Sequence, residues 1–155
     1  MLADPHMWLS VMSSSLMNNV GRLCGLLVAA VLVTGCSSGQ DLGLAEAGIA
    51  RFRELMAAQQ FGQIYSEAAD DLKKATTEPE LTRLLAAIDR KLGAVKSTEK
   101  NGWSVNYNPS GTSVTLKLKT EFERGTGAET FVYRITSGKA LLAGYNINST
   151  ELITN

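Results

Sequence analysis

Histidine and cysteine are almost missing from this chain of 155 residues: one histidine and two cysteines occur, none beyond position 36. His6 and Cys24 fall before or within an apolar run, and Cys36 follows it. Downstream there is no imidazole and no free thiol. Ser-His-Asp and Cys-His nucleophilic systems are therefore excluded there, as are thiolate or imidazole metal sites. No disulfide can staple that part, so its core alone must hold it together. An excess of one charge is missing too, since 15 Lys and Arg balance 15 Asp and Glu. That balance disfavours nucleic acid as a partner. No apolar run reaches the roughly 20 residues that a membrane-spanning helix needs.

What the chain does have, first, is a targeting segment. Residues 23–33 form an apolar centre with Arg22 just before it, the layout of a secretory signal. It ends in Val33-Thr34-Gly35-Cys36, which reads as a bacterial lipobox: a branched apolar residue, two small residues, then a cysteine that receives lipid. Residues 1–16 carry Asp4 and no Lys or Arg, whereas Met17 opens a compact positive head, so Met17 is the expected start. Residues 1–35 are read as signal peptide and Cys36 as the lipidated first residue of the mature chain. Two or more acyl chains anchor a protein stably where one does not. Ser37 after the cysteine is permissive for transfer to the outer membrane, so the expected location is the bacterial envelope, facing the periplasm.

Residues 36–43 are polar and contain glycine, which predicts the lipidated cysteine followed by a flexible tether. Residues 44–150 then predict a single α+β domain. A first helix over 44–58 places Ile49, Phe52, Leu55 and Met56 on one face. A second carries Phe61, Ile64, Tyr65, Ala68, Ala69 and Leu72 at helical spacing. In the third, Thr77 and Glu80 form a capping box, Pro79 suits the first turn and Gly93 stops the helix. Its apolar stripe is Leu81, Leu84, Leu85, Ile88 and Leu92. After Gly93 the period shortens to two. Trp103, Val105 and Tyr107 share a face, then Val114, Leu116, Leu118 and Phe122, then Phe131, Tyr133 and Ile135, then Leu141, Ala143, Tyr145 and Ile147. Short turns between these segments force antiparallel neighbours. The expectation is three N-terminal helices packed on a curved four-stranded antiparallel meander.

An ordered set of short segments runs through this region. Leu92-Gly93-Ala94-Val95-Lys96-Ser97 closes a helix, and Phe122-Glu123 ends a strand. Ala128-Glu129-Thr130-Phe131 and Leu142-Ala143-Gly144-Tyr145-Asn146-Ile147 follow. Together, over residues 48–148, they resemble the bacterial domain-of-unknown-function family 4019, whose usual aromatic near the start of the third helix is Leu81 here. The resemblance implies a cystatin-like, or nuclear-transport-factor-2-like, fold with a pocket between helices and sheet. It supplies no catalytic residues.

The functional candidates divide by chemistry. Tyr65, Trp103, Tyr107, Tyr133 and Tyr145 either fill the core or line a pocket for a small apolar ligand. Asp70 and Asp71 point about 100° apart on a helix, so they make a solvated face and not an acid–base pair. Arg134, opposite Tyr133 on its strand, is expected to face water or a partner. Lys117, Lys119, Glu121 and Glu123 make a charged outer stripe. Gly125-Thr126-Gly127 lacks the lysine of a phosphate loop. No cofactor, metal or catalytic residue is expected. The leading reading is a non-enzymatic envelope lipoprotein, held to the membrane through Cys36, that binds an envelope protein or a small apolar ligand. The alternative is a hydrolase or isomerase using a buried carboxylate, for which Glu67, Asp89 and Glu129 are the candidates.

Overall fold

The computed structural model describes residues 37–109 and 111–153. The signal segment, the lipobox and Cys36 lie outside the described residues. Helices α1 (Ser37–Ala57), α2 (Phe61–Ser66), α3 (Asp70–Ala75) and α4 (Glu78–Leu92) precede strands β1 (Val95–Asn108), β2 (Gly111–Phe122), β3 (Gly125–Thr136) and β4 (Lys139–Asn148), and a short α5 (Thr150–Ile153) follows. The four strands pair in sequence order, each antiparallel to the next. The expected α+β meander is therefore present.

Helix α1 begins earlier than its sequence suggests. Residues 37–43, expected as a tether, are its first turns. The reason lies in Leu42, which packs against the core, and in Ala45, which is fully buried. Two glycines in this stretch lower helix propensity, but packing of an apolar face outweighs propensity. The expected second helix is two. At Ala69 the backbone turns extended, and its N–H donates to the Leu142 carbonyl of β4 at 2.9 Å. Ala68 and Ala69 are both buried, and their small side chains let the chain approach the sheet edge that closely. The hydrogen bond to the strand replaces a helical one, so α2 stops and α3 starts.

Helix α4 forms as its sequence dictates. The Glu80 carboxylate accepts from the Thr77 backbone N–H at 2.9 Å and from its hydroxyl at 2.8 Å. Leu81, Leu85, Ile88 and Leu92 are buried. Leu84, expected on the same stripe, is instead 41% exposed, because the apolar face is narrower than the five leucine and isoleucine positions suggest. Gly93 ends the helix at φ 76°, a conformation that side chains with a Cβ resist. Arg124, in the β2–β3 turn, then caps the helix. Its guanidinium donates to the carbonyls of Asp89 at 3.0 Å, Arg90 at 2.7 Å and Lys91 at 3.1 Å. The Ala94 N–H donates to the Glu123 carboxylate at 3.2 Å.

Leu116 pairs with Phe131 and Val114 with Tyr133, so the apolar face of the sheet is continuous across its middle strands. A bulge in β4 alters the expected alternation. The register shifts between Val132 and Tyr133, so that Tyr133 opposes Leu142 while Val132 opposes Gly144. The extra residue reverses parity. Leu142, and not Leu141, therefore enters the core, while Tyr145 and Ile147 keep their inward direction. Phe52 of α1 meets Phe131 edge-on at 5.2 Å, which seats the long helix on the sheet centre.

Candidate functional site

The sheet's inner face fully buries two polar residues. Thr120 continues Val114, Leu116 and Leu118, and Glu129 precedes Phe131 and Tyr133. Both are essentially without solvent exposure, at 0% and 1%. An isolated carboxylate there would be costly, and the fold surrounds it with donors. Arg53 of α1 donates from Nη1 to Glu129 Oε1 at 3.1 Å and from Nη2 to Oε2. The Tyr145 hydroxyl donates to Oε1 at 2.7 Å, and the Thr120 hydroxyl to Oε2 at 2.5 Å. The guanidinium also lies over the Phe131 ring, 5.5 Å from its centroid. Burial, then the Glu129 charge and the hydrogen bond to it, push the Tyr145 hydroxyl far above its ordinary pKa. The shift favours the protonated hydroxyl that donates to Glu129.

An ionised carboxylate has about four lone-pair sites, two on each oxygen. All four are filled here. Glu129 has no free lone pair with which to accept a substrate proton, and the arrangement is a clasp joining α1, β2, β3 and β4. Among the described residues Glu129 is the only buried acid.

The other acids sit at the surface. Glu67, at the end of α2, accepts from Arg51 at 3.1 Å and from Gln63 at 2.7 Å, and these bonds hold its carboxyl below the usual range. Asp89 accepts from Gln59 at 2.8 Å. Asp71 pairs with Arg134 at 3.1 Å, which lowers the Asp71 pKa; Arg134 is tied there through Nε and Nη2, while its Nη1 is buried without a partner. Asp71 is accordingly a tie between α3 and β3 as well as a solvated group. Lys73 donates to the Ser66 carbonyl at 2.8 Å.

The five aromatic candidates do not converge. Tyr65 is half-buried in α2 and donates to the Thr76 carbonyl at 3.4 Å. Tyr145 serves the clasp. Trp103 and Tyr107 project from the inner face of edge strand β1 and are 52% and 54% exposed. Tyr133 alone borders a recess. Its ring lies against α1 so closely that a Cβ on Gly48 would come within 2.6 Å of it. Its hydroxyl is buried and has no partner, and burial raises its pKa well above the ordinary value.

That recess, about 60 Å³, is walled by Phe52, Leu55, Ile64 and Leu142, with Arg51 and Glu67 at its edge. A groove of about 430 Å³ adjoins it, lined by Leu44, Ala47, Lys139 and Leu141 and sharing Gly48, Arg51, Glu67 and Ala140 with the recess. The sequence carried signals for the clasp that stripe-reading passes over. Arg53 falls at i+4 from Ile49 and i−3 from Met56, inside the apolar template of α1. Thr120 and Glu129 share the parity of their apolar neighbours. The unpartnered hydroxyl of Tyr133 had no such signal. No protein-family model matches the chain, and no curated protein matches it.

Proposed function

We propose that this chain is a lipid-anchored bacterial envelope protein, held through Cys36 at the periplasmic face of the outer membrane, whose domain binds and does not catalyse. The observation that carries the second half is the saturation of Glu129. A general base needs a free lone pair within hydrogen-bond reach of the proton it takes. The one buried acid among the described residues has none. The binding surface is the groove between α1 and β4. Its walls are apolar, Arg51 and Lys139 stand at its rim, and the orphan hydroxyl of Tyr133 waits in the recess beside it. A small apolar ligand ending in one hydrogen-bonding group fits that chemistry, as does a short apolar segment of an envelope protein. The four sequence segments that resemble family 4019 meet in pairs. Ala94 and Glu123 hydrogen-bond, and so do Glu129 and Tyr145. Helices followed by a four-stranded antiparallel meander are compatible with the cystatin-like reading.

Anchoring is tested by metabolic labelling with an alkyne palmitate: label that survives Cys36→Ser would refute it. Binding is tested by thermal melts of the domain with short-chain amphiphiles. A shift is expected that Ala140→Arg abolishes, and a panel with no shift counts against the groove. Turnover of an ester or isomerase substrate that Glu129→Gln eliminates, with folding intact, would restore the catalytic alternative.

A further inference from the structure

The β1–β2 hairpin carries no charge along its tip. Residues 101–116 contain no Asp, Glu, Lys or Arg, in a chain that is 19% charged. The two large rings of this stretch, Trp103 and Tyr107, are the ones left half-exposed. Both stand on the inner face of β1, opposite Leu116 and Thr112 respectively. Helix α1 meets this edge of the sheet through polar side chains, which leaves both rings half-exposed.

The position of the patch along the chain says what covers it. The Tyr107 hydroxyl donates to the Asp41 carboxylate at 3.3 Å. Asp41 stands about 6 Å along the axis of α1 from its first residue, Ser37, at 1.5 Å of rise per residue. Ser37 follows Cys36 by one peptide bond. The neighbouring acid of α1, Glu46, is neutralised by Lys100 of β1. An aromatic surface with no charge of its own thus borders the start of the helix that follows Cys36 in the chain. Because α1 is continuous and its Leu42 packs on the core, this surface keeps a fixed place relative to the first turns of that helix.

We propose that Trp103 and Tyr107 rest in the interfacial zone of the phospholipid bilayer that holds the Cys36 lipid. The proposal rests on the anchored reading above. Tryptophan and tyrosine favour that zone because the ring is apolar and its N–H or O–H still reaches water or headgroups. The hairpin itself has no charge to desolvate, and the acids beside it, Asp41 and Glu46, are held by Tyr107 and Lys100. The contact fixes which face the domain turns to the membrane and adds a second, weak attachment to the lipid one.

The chain carries its own probe, since Trp103 is the only tryptophan after Cys36. Lipidated mature protein is reconstituted into phosphatidylethanolamine/phosphatidylglycerol vesicles, with and without phospholipid brominated near the headgroup. The expected result is blue-shifted Trp103 emission, quenching by the brominated lipid, and iodide quenching several-fold weaker than for the unlipidated Cys36→Ser chain in solution. Protein that floats with the vesicles while Trp103 stays as iodide-accessible as in solution overturns the proposal and leaves anchoring intact. Protein that does not float overturns both. Amide exchange over residues 101–112 gives a second readout. It is expected to slow several-fold on vesicles, and to lose that protection in a lipidated Trp103→Ser/Tyr107→Ser variant, whose exposed positions leave folding unchanged. Equal exchange in both variants counts against the contact.

Discussion

Replacing Arg53 by methionine isolates the energetics of the buried clasp. The two partners are not buried equally: the Glu129 side chain has no exposed surface, while that of Arg53 keeps 21%. Arg53→Met leaves the carboxylate in the interior with only Thr120 and Tyr145 as donors. Removing one partner of a buried pair costs about 3–5 kcal/mol, because the other charge remains uncompensated. Methionine holds the apolar contact with Phe131 and the neighbouring rings, so most of the loss is electrostatic. Glu129→Gln is milder, about 1–2 kcal/mol, because the stranded guanidinium can hydrate through its exposed edge while the amide still serves Tyr145 and Thr120. The double change Arg53→Met/Glu129→Gln recovers most of the loss, since no charge is left inside. For a domain of this size Arg53→Met lowers Tm by roughly 12–20 °C, and urea unfolding followed by circular dichroism gives the free energies directly. The reasoning is refuted if Arg53→Met costs under about 1 kcal/mol, or if adding Glu129→Gln deepens the loss and does not reverse it.

Three further changes probe other parts of the fold. Gly48→Ala gains helix propensity but drives a Cβ into the Tyr133 ring, so a net destabilisation of about 1–3 kcal/mol is expected in the same urea assay, and a gain in stability would contradict the contact. Arg124→Ala strips the last turn of α4 of its three side-chain donors, with an expected cost of about 1–2 kcal/mol and faster amide exchange at residues 91–94. Hydrogen bonds from Arg51, from Arg134, from the Thr77 backbone and from Ser149 lower the pKa values of Glu67, Asp71, Glu80 and Glu151 respectively. The unfolded chain therefore binds more protons than the folded one in acid, and Tm should fall as pH drops through the ordinary carboxylate range near 4 and below. A Tm that stays flat from pH 6 to pH 3 would rule this out.

The elements that local chemistry dictates were legible in the sequence. The capping box of α4, the stop at Gly93 and the order of the meander are set by residues close to one another in the chain. What was not legible depends on distant partners. The turn at Ala69 exists because Leu142, far downstream, offers a carbonyl. The reversal that brings Leu142 inward comes from a bulge, which alternation alone does not mark. The first turns of α1 read as a tether until the surface that Leu42 packs on is known. Glu129 reads as a candidate buried carboxylate, but nothing in the local pattern names Arg53 as its partner. Only the pair, 76 residues apart, makes sense of their positions. Trp103 and Tyr107 have the alternation of core residues, and only the extent of the helical cover leaves them exposed.

The clasp also dictates the timing of folding. Arg53 leaves the ribosome early, but its acid arrives at residue 129 and the last donor at residue 145. Until then any collapsed intermediate carries an ion in its interior without its full set of partners. A chain stopped before its C-terminal strand lacks the full clasp. On the exported reading proposed above, an incomplete clasp suits a chain that crosses a membrane before it folds.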